Sequence, residues 1–329
     1  MKILFIGGTG NISTACTRLA LEKGMEVFHL NRGKSENPFG DKVKTIKADI
    51  HDRKQVSIAL KDYLFDVVAN FIAYIPGDIK RDFELFNHKT GQYVFISSTS
   101  AYQKPPAHPI ITESTPLRNP YWQYSRDKIE CEENLNRMYR EHDFPITIIR
   151  PSLTYETVIP AAIGSWDDFT LIDRIRKRKK IIVHGDGTSL WTITHSMDFA
   201  KGFTGLLGHQ QAVGHSFHIT SDEILTWNQI YEAMGMAAGE KPEMVHIPSE
   251  YIARFDDFHT GNLIGDKANS VIFDNSKIKM FVPEFKARIT FKEGIRKTVE
   301  WFEEKPARMR IIDKTNQFMD RVIQEYIKQ

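Results

Sequence analysis

The chain is expected to be an α/β protein: a doubly wound parallel Rossmann sheet with helices on both faces, followed by a smaller mixed α/β substrate lobe. Three observations predict this. A short apolar run, Lys2 to Ile6, ends in Gly7-Gly8-Thr9-Gly10 and gives way to apolar residues at helical spacing. Strand-like runs then alternate with helical stretches through the first half, the pattern of parallel strands joined by covering helices. After Pro151 the alternation breaks into mixed loops, helices and short strands.

Boundaries follow from that break. Residues 1–153 are expected to form the nucleotide-binding part, with a returning strand near 216–220, and residues 154–215 and 221–329 the substrate lobe and a helical tail. With 329 residues, 41% of them hydrophobic, the chain can bury a large core. Its 44 basic and 42 acidic residues leave a net charge of +2, so no global field draws it to nucleic acid or membrane. Two cysteines, Cys16 and Cys131, are too few for a disulfide scaffold. No run approaches the roughly 18 apolar residues of a membrane span, and no secretory signal is read, so a cytoplasmic protein without membrane contact is expected, monomeric or homodimeric, acting on a small molecule.

The first strand and its loop read as a phosphate cradle. Gly7 lets the chain turn, and Gly10 lacks the side chain that would keep a pyrophosphate from the free N–H groups at the helix start. Thr9, Asn11 and Ile12 complete the expected contact, and Ser13 stands where a third glycine is usual. The second strand, Glu26 to Leu30, ends at Asn31-Arg32 instead of the carboxylate that would accept from an adenosine ribose. Arg32 and Lys34 can meet a 2'-phosphate, which favours NADP while leaving NAD possible. A third strand, Val43 to Ile50, ends at Asp49 and Ile50, with Asp49 either facing the adenine or capping the next turn.

Strands four and five, Val67 to Ile72 and Tyr93 to Ile96, and a sixth, Ile146 to Ile149, continue the sheet. Phe71, Ile72, Ala73 and Ser97 fall at strand ends, where a cofactor lies in such folds. Ser98 follows the fifth strand, and Tyr124 and Lys128 come later, one helical turn apart. A free phenol has a pKa of about 10, and a neighbouring ammonium favours its phenolate. Tyr124 is then the expected acid and base, Ser98 the hydrogen-bonding partner of the substrate oxygen, and Lys128 a ligand of the ribose hydroxyls, an arrangement for hydride transfer. Tyr74, Tyr102, Ser152, Tyr155 and Trp191, with Trp166, are the expected walls of the substrate pocket.

These residues, with Arg150-Pro151-Ser152-Leu153-Thr154-Tyr155, Gly185-Asp186-Gly187, His195-Ser196-Met197-Asp198 and Phe291-Lys292-Glu293-Gly294-Ile295, resemble the extended, epimerase/dehydratase-like branch of the short-chain dehydrogenase/reductase superfamily. The resemblance implies catalytic places for Ser98, Tyr124 and Lys128, and puts Pro151 beside the nicotinamide. Departures narrow the substrate. Leu153 and Trp191 stand where nucleotide-sugar members have an asparagine and an arginine for the diphosphate, and an indole cannot replace a bidentate cation. Thr99-Ser100 stand where sugar dehydratases have Asp-Glu. The connection from Tyr74 to Gln92 is shorter than the pairing helix of many extended members, and the segments Asp78 to His88 and Phe217 to Trp227 are similar to an atypical subgroup that includes chloroplast stem-loop-binding proteins.

That subgroup supplies a rival, an RNA-binding protein on the same fold; a nucleotide-sugar epimerase is a further alternative. The one stretch suited to a phosphate backbone is Arg174 to Lys180, which reads better as the basic last turn of a helix because no aromatics interleave it. His184 and His195 lack companions at metal-ligand spacing, so no metal is expected. Phe318, Met319, Val322, Ile323 and Tyr326 form an apolar stripe at helical spacing, expected to cover the second lobe or a partner.

Overall fold

The computed structural model describes residues 1–33, 37–164 and 166–328. Lys34 lies outside the described residues. The first half runs as alternating units: β1 (Lys2–Ile6), α1 (Asn11–Glu22), β2 (Glu26–Asn31), β3 (Lys44–Lys47), α2 (Arg53–Ala59), β4 (Phe65–Asn70), α3 (Pro76–Phe86) and β5 (Thr90–Ile96). A two-residue strand, β6 (Ile110–Ile111), precedes the long helix α4 (Gln123–His142) and then β7 (Ile146–Pro151). Further on come β8 (Leu153–Tyr155), α5 (Thr170–Arg176), β9 (Ile181–His184), β10 (Leu190–Trp191), β11 (Ile193–His195), α6 (Ser196–Leu206), β12 (Ser216–Ile219) and α7 (Trp227–Ala238).

The central sheet has seven strands in the order β12-β7-β5-β4-β1-β2-β3, and every neighbouring pair is parallel. Successive residues of β1 serve opposite faces: Ile3 and Phe5 pack with α1 and α6, while Leu4 and Ile6 pack beneath α3 and α4. Burial on both faces explains why these strands are apolar throughout instead of alternating. Ser216–Ile219 returns to the sheet beside β7, with Phe217 opposite Ile149.

Two strands stop earlier than their apolar runs suggest. Asn70 turns its side chain back to accept from the Ile72 N–H at 2.8 Å, ending β4 before Phe71. Asp49 accepts from the His51 N–H at 3.1 Å, so the chain turns away just past β3.

The second lobe has its own core, in which Trp191, Trp227 and Tyr231 are fully buried. The helix Phe291–Glu303 packs on α7, its start closed by reciprocal hydrogen bonds between Thr290 and Glu293. The C-terminal helix Asp313–Ile327 buries Met319, Val322 and Ile323 in that same core, so its apolar stripe covers its own lobe. The basic run at the end of α5 is largely ion-paired. Arg174 is buried and donates to Asp320 at 2.6 Å, Arg176 pairs with Glu303, Lys177 with Asp173 and Arg178 with Glu240. Cys16 and Cys131 are free thiols in the core. No helix among the described residues is long and apolar enough to cross a membrane.

Candidate active site

The glycine loop leaves β1 at the point where the sheet order reverses, with β2 on one side and β4 on the other. Gly7 has φ +79°, and a Cβ there would lie 2.6 Å from Ile72 Cγ2. A Cβ on Gly8 would meet the buried His29 ring at 2.4 Å. At Gly10 the nearest atom to a built Cβ is Ser13 Oγ at 3.4 Å, so that position is open. Ser13 closes the loop: its hydroxyl accepts from the Gly10 N–H at 2.8 Å and donates to the Gly7 carbonyl at 2.7 Å. No acidic residue occupies the first turn of α1, whose dipole therefore faces the loop uncancelled. Asn11 reaches across to the second lobe, donating to the Thr154 carbonyl at 2.9 Å and accepting from the Thr157 N–H at 3.1 Å.

Two cavities meet at this loop, sharing Gly7 and Ile72. The smaller, about 210 Å³, is lined by Thr9, Asn31, Arg32, Asp49 and Ile50. The larger, about 710 Å³, runs from Gly10, Asn11, Ile12 and Phe71 past Ser97, Ser98, Tyr124 and Pro151 into the second lobe. A dinucleotide fits these residues: an open backbone at Gly10 and a free helix start for the pyrophosphate, the smaller space for the adenosine end, the larger for the nicotinamide end. Asn31 caps its own turn, accepting from the Gly33 N–H at 2.8 Å. Ala73 lines neither cavity; it is buried, and its carbonyl accepts from Lys128.

Ser98, Tyr124 and Lys128 come together where β5 ends and α4 begins. The Ser98 hydroxyl accepts from the Ser100 N–H at 3.1 Å and is tied through Ser100 Oγ to Ser125. Burial pushes the Tyr124 phenol well above its ordinary pKa; a hydrogen bond with Ser98 pulls it down, and the negative charge of Asp266 adds to the rise. Burial dominates that balance, whereas the pull toward phenolate was expected from Lys128 together with a bound nicotinamide ring. Lys128 Nζ donates to the carbonyls of Ala73 and Ile96 at 2.7 and 2.8 Å, and sits 5.7 Å from the Tyr124 ring centre. Burial lowers its pKa to about 8. It does not line the cavity, and two of the three ammonium N–H groups already have partners. Ser97 is held from behind, donating to Glu132 at 2.5 Å, whose carboxylate also takes Arg150 Nε and Nη2.

Of the expected pocket walls, Tyr74, Ser152 and Trp166 line the larger cavity. Tyr102, Tyr155 and Trp191 do not, and their assignment is corrected. Tyr102 is a core residue whose hydroxyl pairs with His218 Nδ1 at 3.0 Å and receives Arg150. Tyr155 is fully buried, bonded to the Phe291 carbonyl and stacked edge-on against His195. Trp191 packs on Trp227 with ring centres 5.9 Å apart. Each lies at or after a strand end but points into a core.

The far wall of the cavity comes instead from residues the sequence did not single out: Trp122, Val158, Phe258, Asn262, Asp266 and Lys267. The last three lie on a π-helix, Thr260–Lys267. Its signal in the sequence is the pair Gly261 and Gly265, which allows close approach: a Cβ on Gly261 would lie 2.3 Å from Trp122. His184 and His195 are structural. His184 Nε2 bonds the Lys267 carbonyl at 3.1 Å, and His195 Nδ1 accepts from the Met197 N–H to cap α6.

Comparison with known proteins places this geometry. The chain is 26% identical to chloroplast stem-loop binding protein of 41 kDa b from Arabidopsis thaliana, over 76% of this chain and 67% of that protein. It is 19% identical to 2'-dehydrokanamycin reductase from Streptomyces kanamyceticus, over 88% and 81%. Its fold is similar to that of UDP-glucuronic acid 4-epimerase from Bacillus cereus, solved with NAD: TM-score 0.73, 18% identity, covering 92% and 97% of the two chains. Residues 3–220 match the NAD dependent epimerase/dehydratase family, and the chain belongs to that family of the short-chain dehydrogenase/reductase superfamily.

Proposed function

We propose that the protein is an NAD(P)-dependent oxidoreductase that transfers hydride at a hydroxyl or carbonyl carbon of a small substrate lacking a nucleotide diphosphate, with Tyr124 as acid and base. One observation carries this reading: Ser98 and Tyr124 line the same cavity of about 710 Å³ as Gly10 and the start of α1. When bound, the nicotinamide supplies the hydride donor or acceptor. Burial keeps the Tyr124 phenol protonated, so a proton is present there for the oxygen of a carbonyl being reduced. Ser98, hydrogen-bonded to the phenol, steadies the same oxygen. Lys128 ties the loop after β4 to the end of β5 through the Ala73 and Ile96 carbonyls and places a cation behind the tyrosine ring.

A diphosphate finds no support at the two positions that hold it in nucleotide-sugar members. Leu153 lines the larger cavity with an apolar side chain, and Trp191 has withdrawn into the second-lobe core. Thr99 and Ser100 are buried and bring no carboxylate for water elimination. Arg32 beside the smaller cavity, with no carboxylate at the end of β2, favours NADP over NAD. An RNA role draws on the chloroplast relative, and it is weakened because four cations of the basic run, Arg174, Arg176, Lys177 and Arg178, are ion-paired.

Tyr124→Phe tests the proposal. With NADPH and a panel of small aldehydes, ketones and oxo acids, turnover should fall by about two to four orders of magnitude, while dinucleotide affinity stays within about three-fold. Normal turnover by the variant would discard the proton route.

A further inference from the structure

The substrate end of the large cavity holds an unbalanced charge. Lys104 and Lys267 are 2% and 3% exposed, and both address the carboxylate of Asp266, Lys104 at 3.3 Å and Lys267 at 3.4 Å. Two ammonium groups thus share one carboxylate in a nearly water-free setting, where an unmatched charge costs several kcal/mol by order of magnitude. Burial lowers the pKa of each lysine, and the Asp266 carboxylate opposes the drop. Lys104 lies over the face of Trp191 at 5.5 Å, and Asp266 and Lys267 line the cavity.

Lys267 is built in place. Its carbonyl, at the end of the π-helix, receives His184 Nε2 at 3.1 Å and Trp227 Nε1 at 3.2 Å. Its ammonium donates to Asn262 Oδ1 at 2.6 Å, and Asn262 is itself anchored on the Ala162 carbonyl. The indoles of Trp122 and Trp191 stand 5.8 and 6.0 Å from the charge. The π-helix is locked to the start of α4: Asn119 Nδ2 donates to the Gly265 carbonyl at 2.7 Å, and Gly261 lies against Trp122, two residues before Tyr124. Tyr124 and Lys267 therefore lie on connected segments that line one cavity.

We infer that Lys267 is the specificity-determining residue of this site and that it binds a carboxylate of the substrate while the carbon to be reduced lies at Tyr124. The inference rests on the hydride-transfer reading above. A single carboxylate balances the one excess ammonium and takes its remaining N–H. Asp266, on the same wall, disfavours a more highly charged group. Trp122 and Phe258 give the rest of the substrate an apolar surface.

The test uses the full chain saturated with NADP and three pairs of probes, benzoylformate, benzoylacetate and benzoylpropionate, each against its methyl ester, by calorimetry. At least one acid should bind about ten-fold or more tighter than its ester. Lys267→Met should erase that preference, Lys267→Arg should keep it, and Asp266→Asn should strengthen it. Equal or tighter binding of every ester, no acid binding at all, or an unaltered preference in Lys267→Met would overturn the inference. If Lys267→Met does not fold, Asp266→Asn decides: tighter acid binding supports the inference, and unchanged or weaker binding overturns it. The same probes are also offered to the chain with NADPH: retained acid preference with no NADPH oxidation by any of them would count against hydride transfer and leave carboxylate recognition standing.

Discussion

The two ends of the large cavity are made by opposite means. At the end proposed for the dinucleotide, one continuous stretch supplies Gly7, Gly10, Asn11, Ile12 and Ser13 to the wall. At the far end, side chains from Trp122, Leu153, Phe258 and Lys267 converge from widely separated segments. A site built from backbone is written in contiguous sequence, whereas one built from converging side chains exists only once the chain has folded.

The seam between these ends should be the most costly place to cut. Glu132→Leu removes the acceptor of Ser97 and leaves Arg150 charged and buried, so stability should fall by about 3–5 kcal/mol in denaturant titration. A loss below about 1 kcal/mol would mean the buried pair contributes little. Next comes the dinucleotide end. Gly10→Val meets only Ser13 Oγ, at ordinary contact distance, and takes an L-compatible φ of −82°, so it should weaken dinucleotide binding about 100-fold while costing about 1 kcal/mol of stability. Unaltered affinity on titration would argue that the pyrophosphate does not approach this helix start.

Smaller effects sharpen the contrast. Arg32→Asp should shift the NADP-to-NAD affinity ratio about ten-fold toward NAD, and an unchanged ratio would remove the case for a 2'-phosphate. His29, beneath Gly8, has its pKa lowered by burial to about 4. Because its folded-state pKa lies below the unfolded value, its contribution is fully present above about pH 6.5 and is lost as pH falls through 4, with a slope of up to about 1.4 kcal/mol per unit. His29→Gln should flatten that part of the stability profile; an equally steep profile would assign the slope elsewhere.

The parallel sheet was legible because its evidence is local. Apolar strands, the glycine turn and helical spacing each occupy a few adjacent residues, and β12 could be read from Ser216 to Thr220 by the same means. Strand ends were less legible, since Asn70 and Asp49 stop β4 and β3 through side-chain bonds that hydrophobicity does not register. The misassigned aromatics have a common cause. Tyr102, Tyr155 and Trp191 follow the right strands, but which way a side chain turns depends on partners far along the chain, such as His218, Phe291 and Trp227. The π-helix escaped for a related reason: Asn262, Asp266 and Lys267 have the composition of a polar loop, and their burial depends on Trp122, Trp191 and Trp227.

Asn11 joins the phosphate-facing loop to residues 154–157 through a single amide. A change at that segment is therefore expected to reach the loop proposed to hold the coenzyme, and to alter how long the coenzyme is retained. Substitutions that never touch the coenzyme can then surface as faster coenzyme escape.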